Sequence, residues 1–162
     1  MVDKKSLSER DICTKYITPA IIRAGWDLHR QVREEVSFTK GRIIVRGKLY
    51  TRGEQKRADY ILYYKSNIPL AVIEAKENGY SVGSGMQQAL NYADTLGVPF
   101  VFSSNGDAFL MHDRTGLYDK VEQELALNAF PTPTQLWQRY CHWKGLESVE
   151  ARHTVEMPYF DD

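Results

Sequence analysis

Asp59, Glu74 and Lys76 are the residues of this chain whose types and spacing could do chemistry. They lie at the ends of one stretch, Asp-Tyr-Ile-Leu-Tyr-Tyr-Lys-Ser-Asn-Ile-Pro-Leu-Ala-Val-Ile-Glu-Ala-Lys, which reads as two strands joined by a tight turn. Tyr60 to Tyr64 is aromatic and β-branched, and Leu70 to Ile73 is a short apolar run suited to burial on both faces. Ser66-Asn67 supplies turn residues, and Pro69 fits a strand start. If Ser66-Asn67 is a two-residue loop, Lys65 faces Ile68. The antiparallel count then sets Asp59 opposite Glu74, with Cβ atoms roughly 4.5–5.5 Å apart. Glu74 and Lys76 share a face, because every second strand side chain points the same way. A one-residue slip would send Asp59 to the other face.

Two carboxylates that close repel unless something positive lies between them. A hard divalent cation such as Mg²⁺, with Mn²⁺ as its usual substitute, takes oxygen ligands: one or two carboxylates, waters and phosphate oxygens. A lysine beside a metal-bound water could help position or deprotonate it. Such a cation stabilises the charge of an in-line phosphoryl displacement.

Asp59 followed by Glu74-Ala75-Lys76 resembles the D…(D/E)xK signature of the PD-(D/E)xK nucleases, with Ala58 where the usual proline stands. That pattern alone is weak. It becomes specific in an ordered series: Arg57-Ala-Asp-Tyr, Ile73-Glu-Ala-Lys, Gln88-Ala-Leu-Asn-Tyr92, Phe102-Ser-Ser-Asn-Gly106 and Phe130-Pro-Thr-Pro133. The series resembles the N-terminal nuclease domain of the restriction (R) subunit of type I restriction-modification enzymes, over nearly the whole chain. The resemblance implies an α/β fold with a restriction-endonuclease-like core, a central mixed β-sheet flanked by helices. It implies a nuclease core over 1–130. A C-terminal helix and tail over 131–162 would lead into an ATP-driven motor domain that this chain lacks, so the chain is expected to be an excised or truncated domain rather than a stand-alone relative.

The site implied is Asp59, Glu74 and Lys76 as catalytic residues, with metal held by Asp59, Glu74, the Ala75 carbonyl and Glu9. Glu9 is either a solvated first-turn acid or, as an acid on the first helix of this family often does, an approach to the metal. Gln88 and Tyr92, four apart and so neighbours on a helix, are an ordinary polar pair or, by the resemblance, support for the site or the DNA. The partners implied are double-stranded DNA and the modification and specificity subunits of the full enzyme.

At 162 residues the chain has length for one domain with a real core. With 43% apolar and 26% charged residues its composition is that of ordinary soluble domains. The formal net charge is zero, so any basic footprint for nucleic acid must be local. Cys13 and Cys141 lack metal-type spacing and fit buried thiols in a reducing cytoplasm, though a bridge stays open. No apolar run approaches the ~20 residues of a membrane span, and no apolar signal region follows the N-terminal Met-Val-Asp-Lys-Lys-Ser.

The elements that must position the site read as follows. Leu7 to Ala24 is a helix capped by Ser6 or Ser8, kinked or split at Pro19 and closed by Gly25. Trp26 to Phe38 reads as a first strand, and Arg42 to Arg46 as a second. Lys40 to Arg57 is a basic run, either a solvated loop or a phosphate-contacting rim leading into the Asp59 strand, with Lys56 and Arg57 the foremost DNA-contacting candidates. Glu77 to Gly85 reads as a flexible glycine-rich loop. Met86 to Leu96 reads as a helix, Val98 to Phe102 as a central strand, and Asn105-Gly106 as a hairpin turn before a strand over Ala108 to His112. His29, His112 and Asp113 read as structural. A last helix from Thr134 to Gly145 carries Leu136, Trp137, Tyr140 and Trp143 on its apolar side; exposed tryptophans there would mark a docking face.

These residues support a Mg²⁺-dependent DNA endonuclease domain with little sequence choice of its own, weakly active in isolation. The alternative is a catalytically silent DNA- or protein-docking domain of the same fold, in which the acids are ordinary strand-end charges.

Overall fold

The computed structural model describes residues 3–39, 42–43 and 56–145. Most of the basic run from Lys40 to Arg57, the expected strand beyond Ile43 and the tail after Gly145 lie outside the described residues.

The expected hairpin is present as β3 (Lys56–Tyr63) and β4 (Pro69–Ala75). The Ile68 amide donates to the Lys65 carbonyl at 2.9 Å across Ser66-Asn67, as the turn residues require. The ladder, however, slips at the turn. The Tyr64 amide donates to the Ile68 carbonyl at 2.9 Å, and Tyr63 pairs with Pro69. Leu70 is then an extra residue, and Leu62 pairs with Ala71 and Tyr60 with Ile73. The slip and the bulge cancel, so continuing the line beyond Tyr60 sets Asp59 opposite Glu74.

Around this hairpin lie β1 (Val32–Thr39), β2 (Arg42–Ile43), β5 (Phe100–Ser104), β6 (Ala108–Asp113) and β7 (Glu122–Ala126). They form one seven-stranded sheet in the order β2-β1-β3-β4-β5-β6-β7. β4 and β5 run parallel, while the other neighbours are antiparallel. The parallel pair needs a crossover, which α3 (Met86–Leu96) supplies. Every residue of β5 is buried, as is every residue of β4 after Pro69, which matches their unbroken apolar runs.

Each sheet face carries its own apolar cluster. Ile61, Val72 and Val101 lie under Met86, Ala89, Tyr92 and Ala93 of α3. Tyr60, Leu62, Ile73 and Phe102 lie under the opposite layer, with Ile12, Ile17, Ile21, Leu136 and Trp137. The first helical run starts at Ser8, whose capping box with Asp11 satisfies its first amides. It continues as α1 (Glu9–Ile12), a π-helical segment (Cys13–Ile17) and α2 (Thr18–Arg23). Pro19 therefore neither splits nor ends the run. The wider turn ahead of it accommodates a residue that has no amide hydrogen to give. Gly25, at φ 101°, closes it.

Several expectations change. Trp26 to Gln31 is not strand: the Asp27 carboxylate accepts the amides of His29 and Arg30 at 2.9 and 3.0 Å and folds the segment into a turn. The glycine-rich loop is pinned rather than loose. Asn78 Nδ2 donates to the Asn105 carbonyl at 2.9 Å and Asn105 Nδ2 to the Tyr80 carbonyl at 2.7 Å. β7 escaped the sequence reading because its exposed face leaves only Leu125 as a large apolar residue. The tryptophans offer no exposed docking face: Trp26 and Trp137 are buried and Trp143 is half-buried. Cys13 and Cys141 are both buried, and no disulfide joins them. His112 Nδ1 meets Glu122 Oε2 at 2.8 Å, and buried Asp113 accepts from Arg139 at 3.1 Å, tying β6 to the last helix. Both bonds are structural.

That helix, α4 (Pro133–Lys144), is capped by Thr132 and ends at Gly145 in the left-handed region. It shares the core of the strands: Trp137 stacks on Tyr64 with ring centroids 4.0 Å apart, and Trp26 Nε1 donates to the Pro131 carbonyl at 2.8 Å. Trp137→Ala should therefore cost about 3–5 kcal/mol in urea unfolding. A loss below about 1 kcal/mol would show α4 to be an appendage.

Candidate active site

The β3–β4 ladder ends at the Tyr60–Ile73 pair, and side chains take over its next rungs. The Asp59 amide donates to Glu74 Oε1 at 3.1 Å, and the Ala75 amide donates to Asp59 Oδ2 at 2.8 Å. Each carboxylate thus reaches the other's strand. Side-chain alternation breaks at the same point. Tyr60 and Leu62 belong to the layer beneath the first helices, whereas Ala58 joins the α3 cluster. On β1 the ladder pairs Glu34 with Tyr60 and Val36 with Ala58, and forms no rung between Glu35 and Asp59. Asp59 therefore sits at a local irregularity rather than on a regular strand face.

Glu74 is 4% exposed. Behind it, a Cβ added to Gly85 would come within 3.2 Å of the Glu74 Cβ and 3.0 Å of Ser103 Oγ, so only glycine fits there without displacement. Ser103 Oγ accepts from the Gly85 amide at 3.0 Å and donates to the Val82 carbonyl at 2.8 Å, fixing the loop as a wall against Glu74. Burial first, and the Asp59 charge second, push the Glu74 carboxyl up to about 9. The Glu9 carboxyl is raised in the same way, by burial and then by Asp59, while Lys76 opposes the shift. Glu9, the first residue of α1, is therefore in electrostatic reach of both Asp59 and Lys76. It lines a cleft of about 300 Å³ with Arg10, Cys13, Glu35, Arg57 and Asp59. Lys76 is half-buried, with Nζ 5.9 Å from the centre of the Tyr80 ring.

Among the remaining candidates, Gln88 Nε2 donates to the Tyr92 hydroxyl at 2.5 Å. Burial raises the Tyr92 hydroxyl pKa, Gln88 opposes the rise, and Glu74 and Asp59 add to it, which places the pair beside the carboxylates. Lys56 and Arg57 diverge. Arg57 lines the cleft and pairs with Glu35, whereas Lys56 Nζ donates to Thr95 Oγ1 of α3 at 3.2 Å. The sequence reading assigned no role to Arg10, Glu35, Gly85 or Ser103. Of these Gly85, in a glycine-rich loop, and Ser103, within the Phe102-Ser-Ser-Asn-Gly106 motif, carried a local signal.

Among the described residues no group of three or more His, Cys, Asp or Glu side chains is gathered for a metal. The side-chain donors at the site are a carboxylate pair. That suits a hard cation such as Mg²⁺, which is commonly bound through one or two carboxylates while waters and phosphate oxygens complete its shell. An acid driven toward its protonated form by burial and then by a neighbouring carboxylate is also one that a cation would relieve, so the residues fit the ion.

Glu74 gives a pH test of the metal-free protein. Its folded pKa lies above its ordinary value, so its stabilisation is complete below about 4.5 and is lost as pH rises toward about 9. Unfolding free energy should fall across that window by at most about 1.4 kcal/mol per pH unit. Glu74→Gln should flatten the slope. Equal pH profiles for the two proteins in chemical denaturation would refute the assignment.

A family model for the Type I restriction enzyme R protein N terminus matches residues 27–131. The chain is 47% identical over 158 residues to the Type I restriction enzyme EcoAI endonuclease subunit of Escherichia coli, covering 97% of this chain and 19% of that protein. A solved fragment of an HsdR subunit of a type I restriction enzyme from Vibrio vulnificus YJ016 superposes with a TM-score of 0.77 at 42% identity, over 94% of this chain and 29% of that one. The chain thus spans about a fifth of the length of the Escherichia coli relative. The order of motifs, the mixed sheet flanked by helices and these matches agree: the chain belongs to the family of type I restriction enzyme R protein N-terminal regions.

Proposed function

We propose that this chain is the metal-dependent DNA endonuclease domain of an R subunit, hydrolysing phosphodiester bonds with little sequence choice of its own. The observation that carries this reading is the reciprocally bonded Asp59–Glu74 pair, with Glu74 nearly dry and its pKa raised. Asp59 and Glu74 would hold Mg²⁺ or Mn²⁺, with the Ala75 carbonyl as a third protein ligand and Glu9 adding an oxygen from α1. The cation, when bound, supplies charge stabilisation to the phosphoryl group.

The chain's own residues do the rest. Lys76 donates to and positions the attacking water; as the water oxygen bonds to phosphorus its proton passes to solvent, the P–O bond to the leaving sugar oxygen breaks, and that oxygen takes up a proton from solvent. Gln88 and Tyr92 brace Glu74 from α3. No described element is shaped to read base edges, so choice of site falls to the specificity and modification subunits and to the ATP-driven motor of the longer protein. The assembly would act on double-stranded DNA in the cytoplasm. No described helix is long and apolar enough to cross a membrane.

A second reading draws on the same bonds. Both carboxylates already accept backbone amides, so they could serve only to staple the end of the ladder in a silent docking domain. Metal binding separates the two. Calorimetric Mn²⁺ titration of the 162-residue chain should show binding that Asp59→Ala and Glu74→Ala abolish. In the assembled enzyme, those variants and Lys76→Ala should each lower cleavage by about 10²-fold or more with translocation intact. Mn²⁺ binding and cleavage unchanged in Asp59→Ala and Glu74→Ala would favour the docking domain.

A further inference from the structure

Glu35 is the only non-glycine residue with positive φ among the described residues, at 53°. Glutamate rarely adopts this conformation. It falls where β1 and β3 skip a rung opposite Asp59. The turn aims its carboxylate into the cleft, where the two oxygens are divided between two guanidiniums from different elements. Oε2 accepts from Arg10 Nη1 of α1 at 2.9 Å, and Oε1 accepts from Arg57 Nη2 of β3. The three side chains are 42–61% exposed. Exposed ion pairs return little stability and immobilise long side chains, so fold stability gives a poor reason for the strained backbone. Two guanidiniums sharing two oxygens of one anion are, however, what a backbone phosphate requires.

We propose that Arg10 and Arg57 are the phosphodiester-binding pair of this cleft, and that Glu35 occupies them as an internal surrogate which a DNA phosphate displaces. The ligand's identity rests on the nuclease reading; the surrogate arrangement does not. Free of DNA, Glu35 keeps the arginines aligned in the cleft beside Asp59 and offsets half of their charge, so that non-specific phosphate contacts are weakened. When duplex is delivered, its phosphate takes the guanidiniums and lies in the cleft beside Asp59.

The test is fluorescence anisotropy of a short labelled duplex with the 162-residue chain in EDTA, across a salt series. Glu35→Gln should bind about 5–10-fold tighter. Arg10→Ala and Arg57→Ala should bind more weakly, each with a salt slope reduced by about one. Adding Arg57→Ala to Glu35→Gln should cancel the gain. Glu35→Asn, which tolerates the left-handed backbone, repeats the test should the glutamine variant melt early. Affinity unchanged or lower in both Glu35 variants would overturn the proposal, as would a gain that survives Arg57→Ala. Without divalent cation these outcomes are independent of cleavage. Tightening alongside cleavage-competent Asp59→Ala would sink the nuclease reading and spare this one. Unchanged affinity alongside a dead Asp59→Ala would do the reverse.

Discussion

The structure turns on two carboxylates held together, Glu74 nearly dry and Asp59 half-buried at the edge of a cleft. Asp59 and Glu74 come from strands that a slipped turn and a compensating bulge bring into line, and each is fixed by an amide of the other's strand. Such a pair is unfavourable as two bare charges. The core on both sheet faces, the glycine-tight wall at Gly85 and the brace from α3 maintain it. On the proposed reading, stability is thereby traded for a place where a cation would be worth more than at the surface, the usual relation between strained sites and function.

The layers around that pair divide the work. On one side α3 carries the bonded Gln88–Tyr92 pair, with the Tyr92 hydroxyl within electrostatic reach of Glu74 and Asp59. On the other, the first helix brings Glu9 and Arg10, one of each sign, to the cleft beside Asp59. The break in alternation at Asp59 lets one residue address both layers. A regular strand would have committed it to one.

Much of this was legible from local pattern. The bounds of α3, the glycine end of α4 and the buried character of β4 and β5 follow from periodicity and punctuation alone, whereas the Thr132 cap that starts α4 at Pro133 was read as linker. The facing of Asp59 and Glu74 was also legible, but through two departures that cancel: the turn's slip and Leu70's bulge are each invisible to counting. Trp26 to Gln31 was misread because an Asp27 side chain captured amides that a strand would have shared. Arg10 and Glu35 had no signal, since they meet across 25 positions through a backbone conformation that glutamate seldom takes. Side-chain pairs of that kind are products of tertiary assembly and leave no period in the sequence.

The π-helical segment has a wider role than accommodating Pro19. Tyr60, the residue after Asp59, donates its hydroxyl to the Cys13 carbonyl within that segment at 3.3 Å and meets the Thr18 hydroxyl at 2.7 Å. With its proton committed to Cys13, Tyr60 accepts from Thr18. A strut therefore runs from the strand carrying Asp59 to the helix carrying Glu9, and it is anchored in the one stretch where the helical ladder is loosened. Any force that slides or rotates this helix is transmitted to the spacing between the two acids.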